Sequence, residues 1–382
     1  MRIADDGLRI RRIEPLIHWL IDSLKSMSRW INVSMSKSPQ SAIRNRRACN
    51  PQSAILIVLL LASHTVVASN TWTVQSSGTL AWLRAVYFLD AEHGWAAGSR
   101  GALLSTGDGG RTWRTHQRPT EDSLRDLFFT DSTTGWLVCE RDPFKLSRLD
   151  EPRAYLLKTI DGGATWSRVE VTSGDDAGVV LTRIVFADSQ RGWTVGETGA
   201  IYATRDAGAT WSRQRVPTQR LLLGAYFLDA AQGWLVGTGA TILQTSDGGA
   251  QWRGVATPAD ERARLYGVSF CDARHGWAVG AGGTVLATSD GGRTWRRQAS
   301  NTDADLSDVS FLDAQEGWAV GENGTTLHTS DGGATWDAVP SGTRHPLERL
   351  AFVSHARGWA VGFGGTIIAY TPSNVAPPRI KN

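Results

Sequence analysis

One eight-residue frame supplies most of the aspartates that could do chemistry. Its last copy reads Thr329-Ser-Asp-Gly-Gly-Ala-Thr-Trp336, and it recurs with small departures at Thr106–Trp113, Thr159–Trp166, Thr204–Trp211, Thr245–Trp252 and Thr288–Trp295. The aspartates are Asp108, Asp161, Asp206, Asp247, Asp290 and Asp331. A carboxylate in such a frame can accept hydrogen bonds from N–H groups of its own turn, and the glycines after it permit positive φ. Six equivalent carboxylates cannot converge on one reaction centre. The frame is therefore read as a structural staple between two strands, with its tryptophan as an apolar plug.

A second chemistry belongs to arginine. Arg84, Arg125, Arg183, Arg220, Arg264 and Arg349 each precede or enter the first strand of a repeat unit. Guanidinium groups arranged this way could hold a carboxylate or an extended peptide. The competing reading is solvated arginines paired with Asp126, Asp260 or Glu348. Four further carboxylates, Glu140, Asp142, Glu197 and Glu322, would face the same side. Glycoside hydrolysis would need two of them opposed at roughly 5–9.5 Å. Glu197 and Glu322 occupy a position that is Thr238 or Ala281 in other units, which favours a surface role. Only three cysteines are present, with no Cys-x-x-Cys or Cys/His cluster, so neither a metal nor another cofactor is expected. Cys139 and Cys271 fall in distant units, too far apart for a disulfide.

These residues must be positioned by a repeated element. A motif of the form Phe-x-Asp-x-x-x-Gly-Trp-x-Val-Gly precedes each box, with tryptophans at Trp95, Trp136, Trp193, Trp234, Trp277, Trp318 and Trp359. A period near 40–45 residues with four short strands per unit is the signature of a β-propeller. The fold expected is all-β, a seven-bladed propeller over residues 70–371. The seventh unit lacks a box after Tyr370. The missing strand is found at the other end, where Thr71-Trp72 matches Thr335-Trp336. The N-terminal strand is thus expected to complete the last blade, which removes a free sheet edge. Turns between the first and second and between the third and fourth strands should share one face with the boxes. A binding site is then expected on the opposite face, where blade 2 also carries a charged insertion, Glu140 to Arg153.

Residues 54–62 read AILIVLLLA, too short for a span of about 20 residues. They follow Arg44-Asn-Arg-Arg47 and precede Val66-Val-Ala-Ser69. This is the three-part pattern of a secretory signal peptide. Residues 1–69 are read as a leader, the protein as exported to a periplasm or beyond, and residues 372–382 as a disordered tail. The first 70 residues hold ten basic and four acidic side chains, and the remainder 30 and 33. That balance excludes a basic nucleic-acid binder.

Tandem Thr-Ser-Asp-Gly-Gly-x-Thr-Trp boxes alternating with Gly-Trp-Ala-Val-Gly resemble the photosystem II stability/assembly factor family of seven-bladed propellers, over about 300 residues. The resemblance implies a non-catalytic, exported binding protein that aids assembly of a membrane complex, with the thylakoid lumen as its compartment in a phototroph. It implies a protein partner and membrane contact only through that partner; a monomer is expected. The alternative on the same scaffold is a sialidase- or xyloglucanase-like glycoside hydrolase.

Overall fold

The computed structural model describes residues 71–372 apart from 143, 145, 147–150 and 173. The leader with its apolar run and the tail beyond 372 lie outside the described residues. Seven four-stranded antiparallel sheets form the fold. Blade 1 is β2–β5 (83–115), blade 2 β6–β9 (123–169) and blade 3 β10–β13 (181–213). Blades 4, 5 and 6 are β14–β17 (222–255), β18–β21 (265–298) and β22–β25 (306–338). Blade 7 takes β26–β28 (347–371) and, as its outermost strand, β1 (71–75). Trp72 pairs with Tyr370 and Gln75 with Ile367. The expected closure by the N-terminal strand is therefore what the structure shows.

The core lies between blades. In each unit the Gly-Trp tryptophan of the second strand packs on the phenylalanine of the next blade's first strand. Trp277 and Phe311 are 3.4 Å apart and nearly parallel at 2°, and Trp193–Phe227 and Trp234–Phe270 are both at 3.6 Å. The box tryptophan meets that phenylalanine edge-on, as Trp336 does Phe311 at 5.7 Å. The glycine before each strand-B tryptophan leaves room for this. A Cβ on Gly317 would lie 2.4 Å from the Phe311 ring.

Each box holds its turn as expected. Asp331 Oδ1 accepts from Thr329 Oγ1 (2.8 Å) and Thr335 N (2.9 Å), and Oδ2 accepts from Thr335 Oγ1 (2.7 Å). Gly332 and Gly333 sit at φ 72° and 86°. These hydrogen bonds to the ionised form hold the Asp331 carboxyl down at about 2. The same bonds recur at Asp108, Asp161, Asp206 and Asp290. At Asp247 the partner is Gln251, which donates only its N–H, 2.9 Å away.

Gly332 N donates to Gln315 O at 2.8 Å, tying the box turn to the A–B turn on one face. On the other face the B–C turns bond the D–A loops, as Ser99 N does Trp82 O at 2.9 Å and Phe363 N does Pro346 O at 3.0 Å. The two faces divide as the repeat pattern implies.

Candidate functional site

The first strand of every blade carries a β-bulge near its start, at the second residue except in blade 2, where it is the third. Pairing skips from Leu83 to Ala85, Leu124 to Asp126, Leu181 to Arg183 and Leu222 to Gly224. It does the same from Leu265 to Gly267, Leu306 to Asp308 and Leu347 to Arg349. A bulge leaves one residue unpaired and re-aims its side chain. The skipped residues are Arg84, Arg125, Thr182, Leu223, Tyr266, Ser307 and Glu348, and all seven line one cavity of about 360 Å³. This cavity is on the face opposite the boxes, at the inner strands. Its lining is completed by Trp82, Arg183, Asp305, Glu322, Pro346 and Arg349.

Four of the six arginines singled out in the sequence therefore meet: Arg84, Arg125, Arg183 and Arg349. Arg84 lies over the Trp82 ring, 4.4 Å from its centroid. Its buried Nε has no hydrogen-bond partner among the described residues. Burial, then the charge of Arg125, lowers the Arg84 pKa, while Glu348 and Glu140 oppose the shift. Arg125 pairs with Glu140. Glu140 also faces Arg153 at 3.4 Å, and Arg153 lies 3.8 Å from Glu197. The described root of the blade 2 insertion is thus knitted to the cavity edge by ion pairs. Asp142 accepts from Phe144 N at 3.0 Å.

Arg183 and Arg349 sit one residue further along the strand and reach into the channel below. Arg183 is 9% exposed. It donates to Leu223 O at 2.8 Å and Tyr266 O at 3.4 Å, and so crosses from blade 3 to blades 4 and 5. Asp126 faces Arg183 at 3.8 Å and Arg349 at 3.7 Å. Asp126 also accepts from Ile184 N (2.9 Å), and Asp308 in blade 6 likewise accepts from Leu350 N (3.0 Å). Burial pushes both carboxyls up to about 6, against the pull of Arg183.

The other two arginines stand outside the lining. Arg220 is exposed and lies against Gly239, whose added Cβ would be 3.1 Å from the guanidinium carbon. Arg264 is exposed and pairs through its backbone with Thr238. Of the suggested carboxylate partners, Asp126 does pair with arginine. Glu348 accepts from Trp82 Nε1 at 2.9 Å, and Asp260 caps Arg262 N at 2.7 Å.

Sequence reasoning did not single out Asp308, Trp82 or Tyr266 as site residues, and took Asp126 only as a surface partner. The signal for the aspartates is a carboxylate at an inward strand position that is Ala85, Gly224 or Gly267 elsewhere. It also missed one grouping on the box face, where Cys271, Asp272 and His275 bring ligand atoms within 4.8 Å of one another. His275 bonds Asp272 at 2.8 Å just as His93 bonds Asp90 at 2.9 Å in blade 1, so the turn accounts for that contact. Burial and then Asp272 push the Cys271 thiol up to about 11. Among the described residues both Cys139 and Cys271 are free.

The sequence profile described as photosynthesis system II assembly factor YCF48 matches residues 111–219, 211–296, 256–351 and 298–371. No curated protein matches the chain. Among solved structures, YCF48 bound to a D1 peptide superposes with a TM-score of 0.65 at 22% identity, covering 80% of this chain and 98% of that one. YCF48 from Cyanidioschyzon merolae gives 0.64 at 21% identity, covering 80% and 99%. The GH74 xyloglucanase from Xanthomonas campestris gives 0.62 at 15% identity, covering 81% of this chain and 55% of that one. At such identities these structures establish the shared fold.

Proposed function

The chain belongs to the photosynthesis system II assembly factor YCF48 family, and from that premise we propose that it is a non-catalytic, exported propeller that binds a protein partner at the channel mouth. The partner is a segment of a membrane-complex subunit, and binding aids that complex's assembly or stability. The D1 peptide held by a relative of the same fold supports a peptide as the bound element. The protein acts as a monomer and meets the membrane only through its partner.

The observation that carries this reading is Arg84. Its Nε is buried without an acceptor among the described residues, and its charge is opposed by that of Arg125. A carboxylate at the mouth would pair with the terminal nitrogens of Arg84, offset the cost of its burial and relieve the repulsion between the two guanidinium groups. The hydrolase reading finds less support. Asp126 and Asp308, the two carboxyls pushed towards neutral pH, are buried in the channel and held by backbone N–H groups. Glu140 is taken up by Arg125 and Arg153.

The test is titration of the intact protein with a peptide ending in a free carboxylate and with its amidated twin. The free acid should bind more tightly, and Arg84→Gln/Arg125→Gln should abolish the difference. Equal binding of both peptides by the parent would contradict an anion site at the mouth.

A further inference from the structure

Beside the arginines the mouth continues into an apolar ledge. Phe363 opens the B–C turn of blade 7 and is 47% exposed. The corresponding residues of the other blades are Ser99, Glu140, Glu197, Thr238, Ala281 and Glu322, so an aromatic ring at this turn position is peculiar to blade 7. Phe363 stands edge-on to Trp82 at 5.4 Å, with His345 on another side at 5.8 Å. Leu80, in the adjoining loop, is 89% exposed. The backbone of Phe363 is already satisfied: its N–H donates to Pro346 O, and its carbonyl accepts from Thr366 Oγ1. What the ledge offers a ligand is therefore side-chain packing.

Trp82 joins the two regions. One face of its ring carries Arg84, its Nε1 donates to Glu348, and the ring stands nearly perpendicular to that of Phe363. We infer that the mouth reads a peptide at two points, a carboxylate at Arg84 and Arg125 and an aliphatic or aromatic side chain on the Phe363–Trp82 ledge. This rests on the peptide-binding reading above and names the chemistry of the peptide it takes. The spacing follows from the geometry. The steps from the Arg84 guanidinium to Trp82 (4.4 Å) and from Trp82 to Phe363 (5.4 Å) span at most three residues of extended chain, which advances about 3.3 Å per residue. The apolar side chain thus lies within three residues of the carboxylate. Charge complementarity selects such a segment over a purely apolar surface, because any occupant of the ledge also faces the guanidinium groups.

The experiment uses fluorescein-labelled Gly/Ser octapeptides with Leu or Ala three residues from the C-terminus, each as free acid and as amide, titrated by anisotropy into the intact protein. The parent should bind the Leu free acid about tenfold more tightly than the Ala free acid, the gain of partly burying one aliphatic side chain. Phe363→Ala should erase that preference while keeping the loss on amidation, and its melting temperature should match the parent's because the ring is half exposed. A parent that distinguishes acid from amide but not Leu from Ala overturns the ledge alone. A parent that binds none of the four peptides overturns the peptide reading and the ledge together. Dimerisation of the parent in sedimentation, lost in Phe363→Ala, would reassign the ledge to contact between two copies and overturn the inference.

Discussion

Trp359, in the last blade, stacks on Phe88, in the first, at 3.5 Å and 6° between planes. The indole also donates to Gly109 O in the blade 1 box, at 3.0 Å. Trp193, Trp234 and Trp277 make the same bond to Gly248, Gly291 and Gly332. The junction that closes the ring is thus built from the same contacts as junctions between consecutive blades. What differs is the outer strand. Gln75 of β1 reaches blade 1 from the N-terminus, accepting from Trp113 Nε1 at 3.0 Å, in the way that Gln214 accepts from Trp252 at 2.9 Å.

Closure makes stability depend on β1. Trp72 is buried among Trp318, Phe352 and Tyr370, with ring centroids at 5.5, 5.9 and 5.5 Å. Trp72→Ala should cost about 3–5 kcal/mol. Deletion of Thr71–Gln75 should cost more, because it also strips the pairing from β28. Chemical denaturation measures both, and an unchanged midpoint for the deletion would contradict the closure.

The boxes differ in one instructive place. Asp247 lacks the hydroxyl donor that Thr335 gives Asp331, because Gln251 stands there. Gln251→Thr should restore that bond and raise the melting temperature slightly, whereas Asp331→Ala should lower it. Neither should change peptide binding, since the boxes lie on the far face. Calorimetry with a parallel binding titration separates the two effects.

The repeat, the number of blades, the closure and the division of faces were all legible in the chain, because each follows from residue types recurring at fixed spacing. The bulge was not. It is a backbone event, and the seven residues it re-aims are of six different types, so no motif marks the position. Arg220 and Arg264 precede the first strand and remain outside the lining, whereas Arg84 and Arg125 fall on the bulge and enter it. Arg183 and Arg349 lie one residue beyond and enter the channel. The six arginines thus divide by their place relative to the bulge, although they share a type.

Arg183 ties blades 3, 4 and 5 together while facing the buried Asp126. Arg183→Leu would leave that carboxylate beside Arg349 alone and remove two hydrogen bonds to backbone carbonyls. Loss of one partner from a buried pair costs about 3–5 kcal/mol. Denaturation should show that loss, and Asp126→Asn in the same chain should recover part of it.

Stability should also depend on pH in two limbs. Asp126 and Asp308 have folded pKa values raised to about 6 from 3.8. The folded state then binds more protons than the unfolded one between these values, so these two groups make stability rise as pH falls from 7 towards 4. Asp161, Asp206, Asp290 and Asp331 are instead held at about 2. Their contribution is present above the unfolded value and lost as pH falls towards 2. The melting temperature should peak between about pH 4 and 5, and Asp126→Asn/Asp308→Asn should flatten the upper limb. A steady fall from pH 7 to 4 in the parent would contradict the assignment.

The central claim is that the guanidinium groups at the mouth hold a membrane-complex subunit. Affinity capture of the tagged protein from its native host, with mass spectrometry of what co-purifies, tests it most directly. A parallel capture uses Arg84→Glu/Arg125→Glu/Arg349→Glu, together with Arg84→Gln/Arg125→Gln as a milder variant whose folding is checked by melting temperature. Membrane-complex subunits recovered with the parent and lost from the folded variants are the expected result. The same subunits recovered with every form, or none with the parent, would contradict it.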